Sequence, residues 1–325
     1  MTKIMKTIKI QCPAKINLNL KITGKLEGGF HAIESIMQTI SLYDYLTISV
    51  ENSVENAIIL SGNSEEIPYD ETNLVYKAAK LYLDTNKITN KKINIYIEKN
   101  IPVAAGMAGG STDGAGVLYG LDKLLLPSPE FLNSLCSLRN STLSRSNDAA
   151  GEGYLDSLCS KLGSDLNVCL HGGRVLAKGR GEIITPLEFE EFNVSLIKPI
   201  NLGISAKEAY TKFSQKKQNC HPELGSGSIN LIYRQQKENL EILKQVQNDK
   251  FSFDCTKKEE HFVNDLEWAV IDDYPQLQYI KQKYPKSIMT GSGSTYFMID
   301  GEFENENGYW VKNGLKSVNF GVKEV

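Results

Sequence analysis

The sequence predicts an α+β protein of two lobes with a cleft between them, and three observations carry that expectation. At 325 residues the chain exceeds what one core fills, since single cores stop growing near ~250–300 residues. In the first half, short runs with the two-residue period of half-buried strands alternate with helical stripes. Beyond Asn193 the pattern restarts as strand, helix, helix, strand, strand, helix and strand, which resembles a βαββαβ lobe. The division falls at 1–186 and 187–325.

Met1 to Gln11 alternates Ile with Lys over a few positions and reads as a first strand. It has neither the apolar run nor the cleavage site of a signal peptide. Ile16 to Thr23 alternates Ile16, Leu18, Leu20 and Ile22 with polar residues and reads as a strand until Gly28-Gly29 breaks it. Tyr45–Val50, Ala57–Leu60 and Ile93–Glu98 are further strand candidates. Between them Leu74, Val75, Ala78, Leu81 and Tyr82 form an apolar helical stripe after Asn73. A small-residue stretch from Ala104 to Gly110 leads into a second helix, with Val117, Leu118, Leu121, Leu124 and Leu125 on one face, ending at Pro127.

In the second lobe Val194–Lys198 reads as a strand and Ser205-Ala206-Lys207-Glu208 as the capping box of a helix. A helix over Val263–Ile271 and strands over Ser287–Met289 and Thr295–Ile299 follow. Two segments read as insertions, about 138–153 and 215–254. The first lies between two similar stretches, Phe131–Ser137 and Tyr154–Ser160, and the second is polar and weakly helical over Asn239–Val246. Lengthening a surface loop is cheap, about 0.6 kcal/mol per doubling, so neither segment is expected to carry chemistry.

The net charge of -3, with Lys and Arg scattered, gives no footprint for nucleic acid or an anionic membrane. No run approaches the ~18 apolar residues that would cross a bilayer, so a cytoplasmic protein acting on a small molecule is expected. The six cysteines are far apart without a C-x-x-C pair and read as reduced, buried thiols; the four histidines form no H-x-x-x-H, so no protein-built metal site is expected.

Ile101 to Asp113 (IPVAAGMAGGSTD) carries the chemistry. Small residues let backbone N–H groups converge, and at a helix N-terminus those groups are unpaired and the dipole is positive, so an anion such as phosphate fits. The alternative is a tight strand-to-helix turn with a Ser cap. Neither G-x-x-x-x-G-K-[ST] nor G-x-G-x-x-G occurs, which sets aside the P-loop and dinucleotide folds.

Pro102 to Ala115 resembles the P-x-x-x-G-L-G-G-G-S-S-[DN]-A-A phosphate loop of the GHMP kinases (galactokinase, homoserine kinase, mevalonate kinase and relatives). Pro13-Ala14-Lys15-Ile16-Asn17-Leu18 with Gly29-Phe30-His31, Leu162–Asn167, Gly179–Glu182 and Thr290–Thr295 resemble further blocks of that family, in order along the chain. They point to the branch acting on a cytidine diphosphate-linked methylerythritol in the non-mevalonate (MEP) isoprenoid route. Homoserine- or mevalonate-type kinases, and a non-catalytic nucleotide-binding relative, are the alternatives.

The resemblance implies a two-lobe GHMP kinase fold, a ribosomal-protein-S5-domain-2-like first lobe and a ferredoxin-like second one. ATP with Mg2+ bound to it is the implied cofactor, and a monomer or weak homodimer the implied state. Lys15 and Asp165 become the catalytic pair, Asp165 accepting the proton of the substrate hydroxyl and Lys15 orienting it. Pro102, Val103, Ala104, Ala105, Gly106, Met107, Ala108, Gly109, Gly110, Ser111 and Thr112 become the nucleotide loop, with Asn73 and Lys99 near the adenine. Asn17, Phe30, His31 and Ser205 become substrate contacts, Phe30 stacking on the base and His31 meeting its edge. Asn73 and Ser205 also read as plain helix caps.

The departures are Ala108 for a loop glycine, Gly114 for alanine and Phe30 for tyrosine. Ala108 is strained if its φ is positive, and Phe30 keeps the stacking face without the hydroxyl.

Overall fold

The computed structural model describes residues 5–125, 150–219 and 264–325. The bulk of both inserted segments, the first repeat copy Phe131–Ser137, the helix expected over Asn239–Val246 and the stop at Pro127 lie outside the described residues. The second copy forms the middle of a helix, Ala150–Leu162.

The first lobe is built on one long strand. β1 (Lys6–Asn17), β2 (Lys21–Lys25) and β3 (His31–Asn52) begin it, followed by β4 (Ala57–Gly62), α1 (Leu74–Asn86) and β5 (Lys91–Glu98). α2 (Gly109–Leu125), α3 (Ala150–Leu162), α4 (Leu166–His171), β6 (Arg174–Gly179) and β7 (Ile183–Pro186) complete it. β3 spans 22 residues, pairing antiparallel with β1 over Met37–Val50, with β5 over Tyr45–Asn52, and with β2 and β6 along its start. Only β4 and β5 are parallel among the paired strands.

The expected strand over Ile16–Thr23 is corrected to a break between β1 and β2. The amide of Asn17 leaves the ladder to donate to Thr290 Oγ1 at 3.0 Å, and Asn19 Oδ1 accepts from the Ile36 amide at 2.6 Å. Pro13 does not end β1, because it sits at a register shift opposite β3, where a missing donor is tolerated.

The helices cover one face of this sheet and bury Ile10, Leu46, Ile48, Ile93, Ile95, Val117, Leu118 and Leu121. α2 lies very close to the sheet because two of its five glycines face it. A Cβ on Gly116 would fall 2.5 Å from Cys12 Sγ, and one on Gly120 would fall 2.6 Å from Ile48 Cδ1. Each glycine inside a helix costs about 1 kcal/mol against alanine, and the close contact it permits offsets that.

The second lobe starts with β8 (Asn193–Pro199) and α5 (Ala206–Asn219) and continues with α6 (Asp265–Val270) and α7 (Pro275–Lys283). β9 (Ile288–Met289), β10 (Tyr296–Ile299), β11 (Tyr309–Lys316) and β12 (Lys323–Glu324) end the chain. Ser205 caps α5 as expected, with the Glu208 amide donating to its Oγ at 3.1 Å, while the Glu208 carboxylate accepts from the Tyr274 hydroxyl instead of closing the capping box. Asn264 caps α6 by accepting from the Leu266 amide at 2.9 Å. The four-stranded sheet runs β11-β8-β10-β9, the 4-1-3-2 order of a βαββαβ lobe.

The helix expected between the last two of those strands is corrected to a loop over 300–308. That stretch, DGEFENENG, offers only Phe303 to a core, and Asp300 and Gly308 take positive φ at its two ends. α7 was not expected; Pro275 at its first turn, with Leu277 and Ile280 buried, is the signal that marks it. β12 returns to the first lobe and pairs with β1, while Gln38 Nε2 and Thr39 Oγ1 each donate to the Val318 carbonyl at 2.9 Å. Among the described residues no helix is long and apolar enough to cross a membrane.

Candidate active site

The small-residue loop lies between β5 and α2 and is shaped by positive φ at Ala104, Gly106 and Ala108. Gly106 is obligatory, since a Cβ there would sit 2.1 Å from the Thr290 carbonyl oxygen. The Lys15 amide donates to the Met107 carbonyl at 3.2 Å, and Thr290 Oγ1 donates to the Gly106 carbonyl at 3.3 Å. Ala105 and Met107 face the core, whereas a Cβ on Gly110 would meet nothing within 4 Å. The Thr112 amide donates back to Ala108 at 2.9 Å. Helix geometry therefore leaves the amides of Gly109, Gly110 and Ser111 without intrahelical acceptors at the positive end of a 17-residue helix. Ala108 has φ 57°, so the residue that replaces the family's glycine sits in the left-handed region.

A sealed charge cluster supports this loop from below. Lys99 Nζ contacts Asp44 Oδ2 and lies 2.9 Å from Asp113 Oδ2, with the lysine side chain 6% exposed. Asp44 Oδ1 accepts from the amides of Asn100 at 2.6 Å and Ile101 at 2.8 Å, fixing the approach to the loop. A Cβ on Gly109 would fall 2.9 Å from Lys99 Nζ, so the ammonium sits against the first residue of α2. Burial pushes the Asp113 carboxyl up to about 7 against the pull of Lys99, with Asp44 adding to the rise. Burial also pushes the thiols of Cys12 and Cys169 up, in keeping with inert buried cysteines.

On the cleft side of the loop, Lys15 Nζ lies 3.3 Å from Asp165 Oδ2 and donates to Asn17 Oδ1 at 2.6 Å. Lys15 points off β1, whereas Asp165 precedes α4 at its N-cap position without capping it. That leaves its carboxylate, 30% exposed, open toward both lysine and cleft. Asn17 is buried and donates through Nδ2 to Ser35 Oγ at 2.9 Å; its side chain orients the lysine instead of facing the cleft. A Cβ on Gly181 would lie 3.7 Å from Asp165 Oδ1, so the β6–β7 turn borders the carboxylate.

Farther along, rings gather around His31. Its imidazole stacks on Tyr210 of α5 at 5.0 Å, meets Phe213 edge-on at 6.1 Å, and bonds Ser214 Oγ through Nε2 at 2.9 Å. Burial, with Lys25 and Lys217 nearby, holds the ring pKa below its usual value. Phe30 is 53% exposed, and Arg180 Cζ lies 5.1 Å from its ring centroid. Sequence reasoning missed Tyr210; a Tyr and Phe three apart on the helix after the Ser205 cap were its only signal.

Other expected site residues have different immediate partners. Lys99 is held by two carboxylates under the loop, and the Thr112 side chain is fully buried. Asn73 caps α1 by accepting from the Val75 amide at 2.9 Å and stays close to the loop's helix, since a Cβ on Gly114 would lie 3.3 Å from Leu74 Cγ. The Ser205 hydroxyl caps α5. Val103 and Pro102 are partly exposed at the loop's start.

A family model described as the N-terminal domain of GHMP kinases matches residues 73–164. A 4-diphosphocytidyl-2-C-methyl-D-erythritol kinase from Clostridium tetani is 34% identical over 296 residues, covering 89% of this chain and 90% of that protein. One of the same name from Clostridioides difficile is 36% identical over 316 residues, covering 93% and 88%. The crystal structure of a 4-(cytidine 5'-diphospho)-2C-methyl-D-erythritol kinase superposes with a TM-score of 0.60 at 23% identity, covering 97% of this chain and 100% of the other. A homoserine kinase from Cytophaga hutchinsonii superposes at 0.63 with 16% identity, covering 98% and 97%. At those identities the superpositions speak for the fold.

Proposed function

The chain belongs to the 4-diphosphocytidyl-2-C-methyl-D-erythritol kinase family within the GHMP kinases, and from that premise we propose that it transfers the terminal phosphate of ATP to the 2-hydroxyl of 4-diphosphocytidyl-2-C-methyl-D-erythritol. The observation that carries the reading is the meeting of Lys15 and Asp165, 3.3 Å apart, beside the loop that the Lys15 amide itself holds through Met107.

The loop amides and the start of α2 bind the phosphates and hold the terminal one in line with the substrate hydroxyl, the positioning on which phosphoryl transfer mainly depends. Asp165 receives the hydroxyl proton as the alcohol oxygen bonds to phosphorus and the bond to the bridging oxygen breaks, releasing ADP. Lys15, oriented by Asn17, holds the carboxylate and stabilises negative charge during transfer. Magnesium bound with the nucleotide would neutralise phosphate charge. The Ser111 hydroxyl at the start of α2 is a donor the chain could add to it. Phe30, His31 and Tyr210 take the cytosine.

Asp165→Asn tests this. The variant binds ATP with unchanged affinity and loses roughly 10²–10⁴-fold in kcat, the range of a general base. Near-normal turnover would remove Asp165 from the mechanism.

A further inference from the structure

The proposed substrate places a base at one end, an alcohol at the other and two phosphates between them. Neither the loop, which takes the nucleotide, nor the Lys15–Asp165 pair has a cation to spare for that middle section. Lys15 is buried and already engaged by Asp165 and Asn17. Lys25 and Lys217 lie at the base end, where they depress the His31 pKa.

Arg180 occupies the remaining span. It rides over Phe30 with Cζ 5.1 Å from the ring centroid, and its neighbour Gly181 borders Asp165. A ligand stretched from the ring to the carboxylate passes this side chain. The turn is built to present it. Gly179 and Gly181 take φ of 72° and 116°, and the Arg180 amide donates to Glu182 Oε2 at 2.6 Å. The side chain, 37% exposed, has one long contact from Nε to Glu182 Oε1 at 3.5 Å. Among the described residues its terminal nitrogens have no carboxylate partner. Such a pair adds little to stability, whereas a planar guanidinium with free terminal donors matches phosphate oxygens in pairs.

We propose that Arg180 binds the diphosphate of the cytidine handle and makes the enzyme selective for an alcohol that carries it. This assignment rests on the functional reading above and names the group that recognises the middle of its substrate. The base is then held by the rings, the phosphates by Arg180, and the alcohol is delivered to Asp165. Arg180 touches neither the reacting hydroxyl nor the transferred phosphate, so its loss weakens substrate binding and leaves the chemical step alone.

The experiment uses the full chain as wild type, Arg180→Gln and Arg180→Lys, with calorimetric titration of CDP and cytidine and steady-state kinetics on the CDP-linked alcohol. The expected result is CDP binding about tenfold weaker in Arg180→Gln, which is about 1.4 kcal/mol, with cytidine binding within twofold of wild type. KM for the alcohol rises by a similar factor while kcat and KM for ATP hold. Arg180→Lys keeps the charge but not the fork and recovers part of the CDP affinity; if Arg180→Gln fails to fold, a loss of CDP but not cytidine affinity in Arg180→Lys serves as the readout. Unchanged preference for CDP over cytidine in the folded variants overturns the assignment. A wild type that phosphorylates no CDP-linked alcohol overturns the functional reading instead, so the two failures are distinguishable.

Discussion

Two lysine–carboxylate clusters flank the same loop and behave oppositely. Below it, Lys99 meets Asp44 and Asp113 with all three side chains sealed from solvent. Beside it, Lys15 meets one carboxylate, and that carboxylate keeps an open side. The residue types are the same, and what differs is whether a carboxylate can be reached from solvent. Asp44 spends Oδ1 on two backbone amides and Oδ2 on lysine, so it has nothing to offer a ligand. Asp165 leaves its helix uncapped and has room for a hydroxyl. A cluster sealed from solvent is scaffolding even with Asp113 Oδ1 unpaired, and a half-open one can do chemistry.

The sharpest way to break this comparison is to remove each lysine. Lys99→Met leaves two buried carboxylates facing each other and costs roughly 3–5 kcal/mol of stability, read as a large drop in the denaturant midpoint. Lys15→Met costs about 1 kcal/mol, because Asp165 can turn to water, yet turnover falls by about 10² or more. If the two variants lost stability equally, the distinction between scaffold and reactive pair would be gone.

A smaller effect comes from Asp113, whose carboxyl is raised from 3.8 to about 7 by burial. Between those values the folded chain holds a proton that the unfolded chain releases, so this group's contribution is full below pH 3.8 and is lost as pH rises through about 7. Asp113→Asn cannot titrate and resembles the protonated form. Its stability relative to wild type should therefore increase from pH 5 to pH 8 in urea titrations. A difference that stays constant with pH would show that Asp113 is ionised throughout. The matching change at Asp44 should be worse at every pH, since Asp44 also anchors the Asn100 and Ile101 amides.

Much of the fold was legible because local patterns and tertiary demands agree. The α1 stripe and the second-lobe cap each satisfy their own chain neighbourhood. What escaped depends on distant partners. Nothing near Lys99 in sequence announces Asp44, 55 residues away, so an inward-facing lysine read as a nucleotide contact. The return of β12 to β1 rests on two residues, too few for a period. The loop over 300–308 took the place of the helix expected from the βαββαβ-like pattern, because that stretch offers only Phe303 to a core. At the site, the family resemblance pointed to Lys15 and Asp165 together, but Asn17 as the lysine's orienter and Tyr210 as the partner of His31 follow only from coordinates.

The loop between the two clusters gives the finest test of how they divide their work. Ala108 holds φ 57°, which costs an L-residue with a Cβ about 1–2 kcal/mol, and yet the loop keeps its shape. It is clamped on one side by Lys15 and Thr290 through Met107 and Gly106, and on the other by Lys99 against Gly109. If these clamps set the backbone, Ala108→Gly relieves strain without moving the amides. The gain is offset by about 0.5–1 kcal/mol of added freedom in the unfolded chain, leaving a net stabilisation of roughly 0.5 kcal/mol with kcat and KM for ATP within about twofold of wild type. A several-fold rise in kcat would mean instead that the alanine distorts the phosphate cradle, and that the loop's own residues, more than the lysines around it, decide where the nucleotide lies.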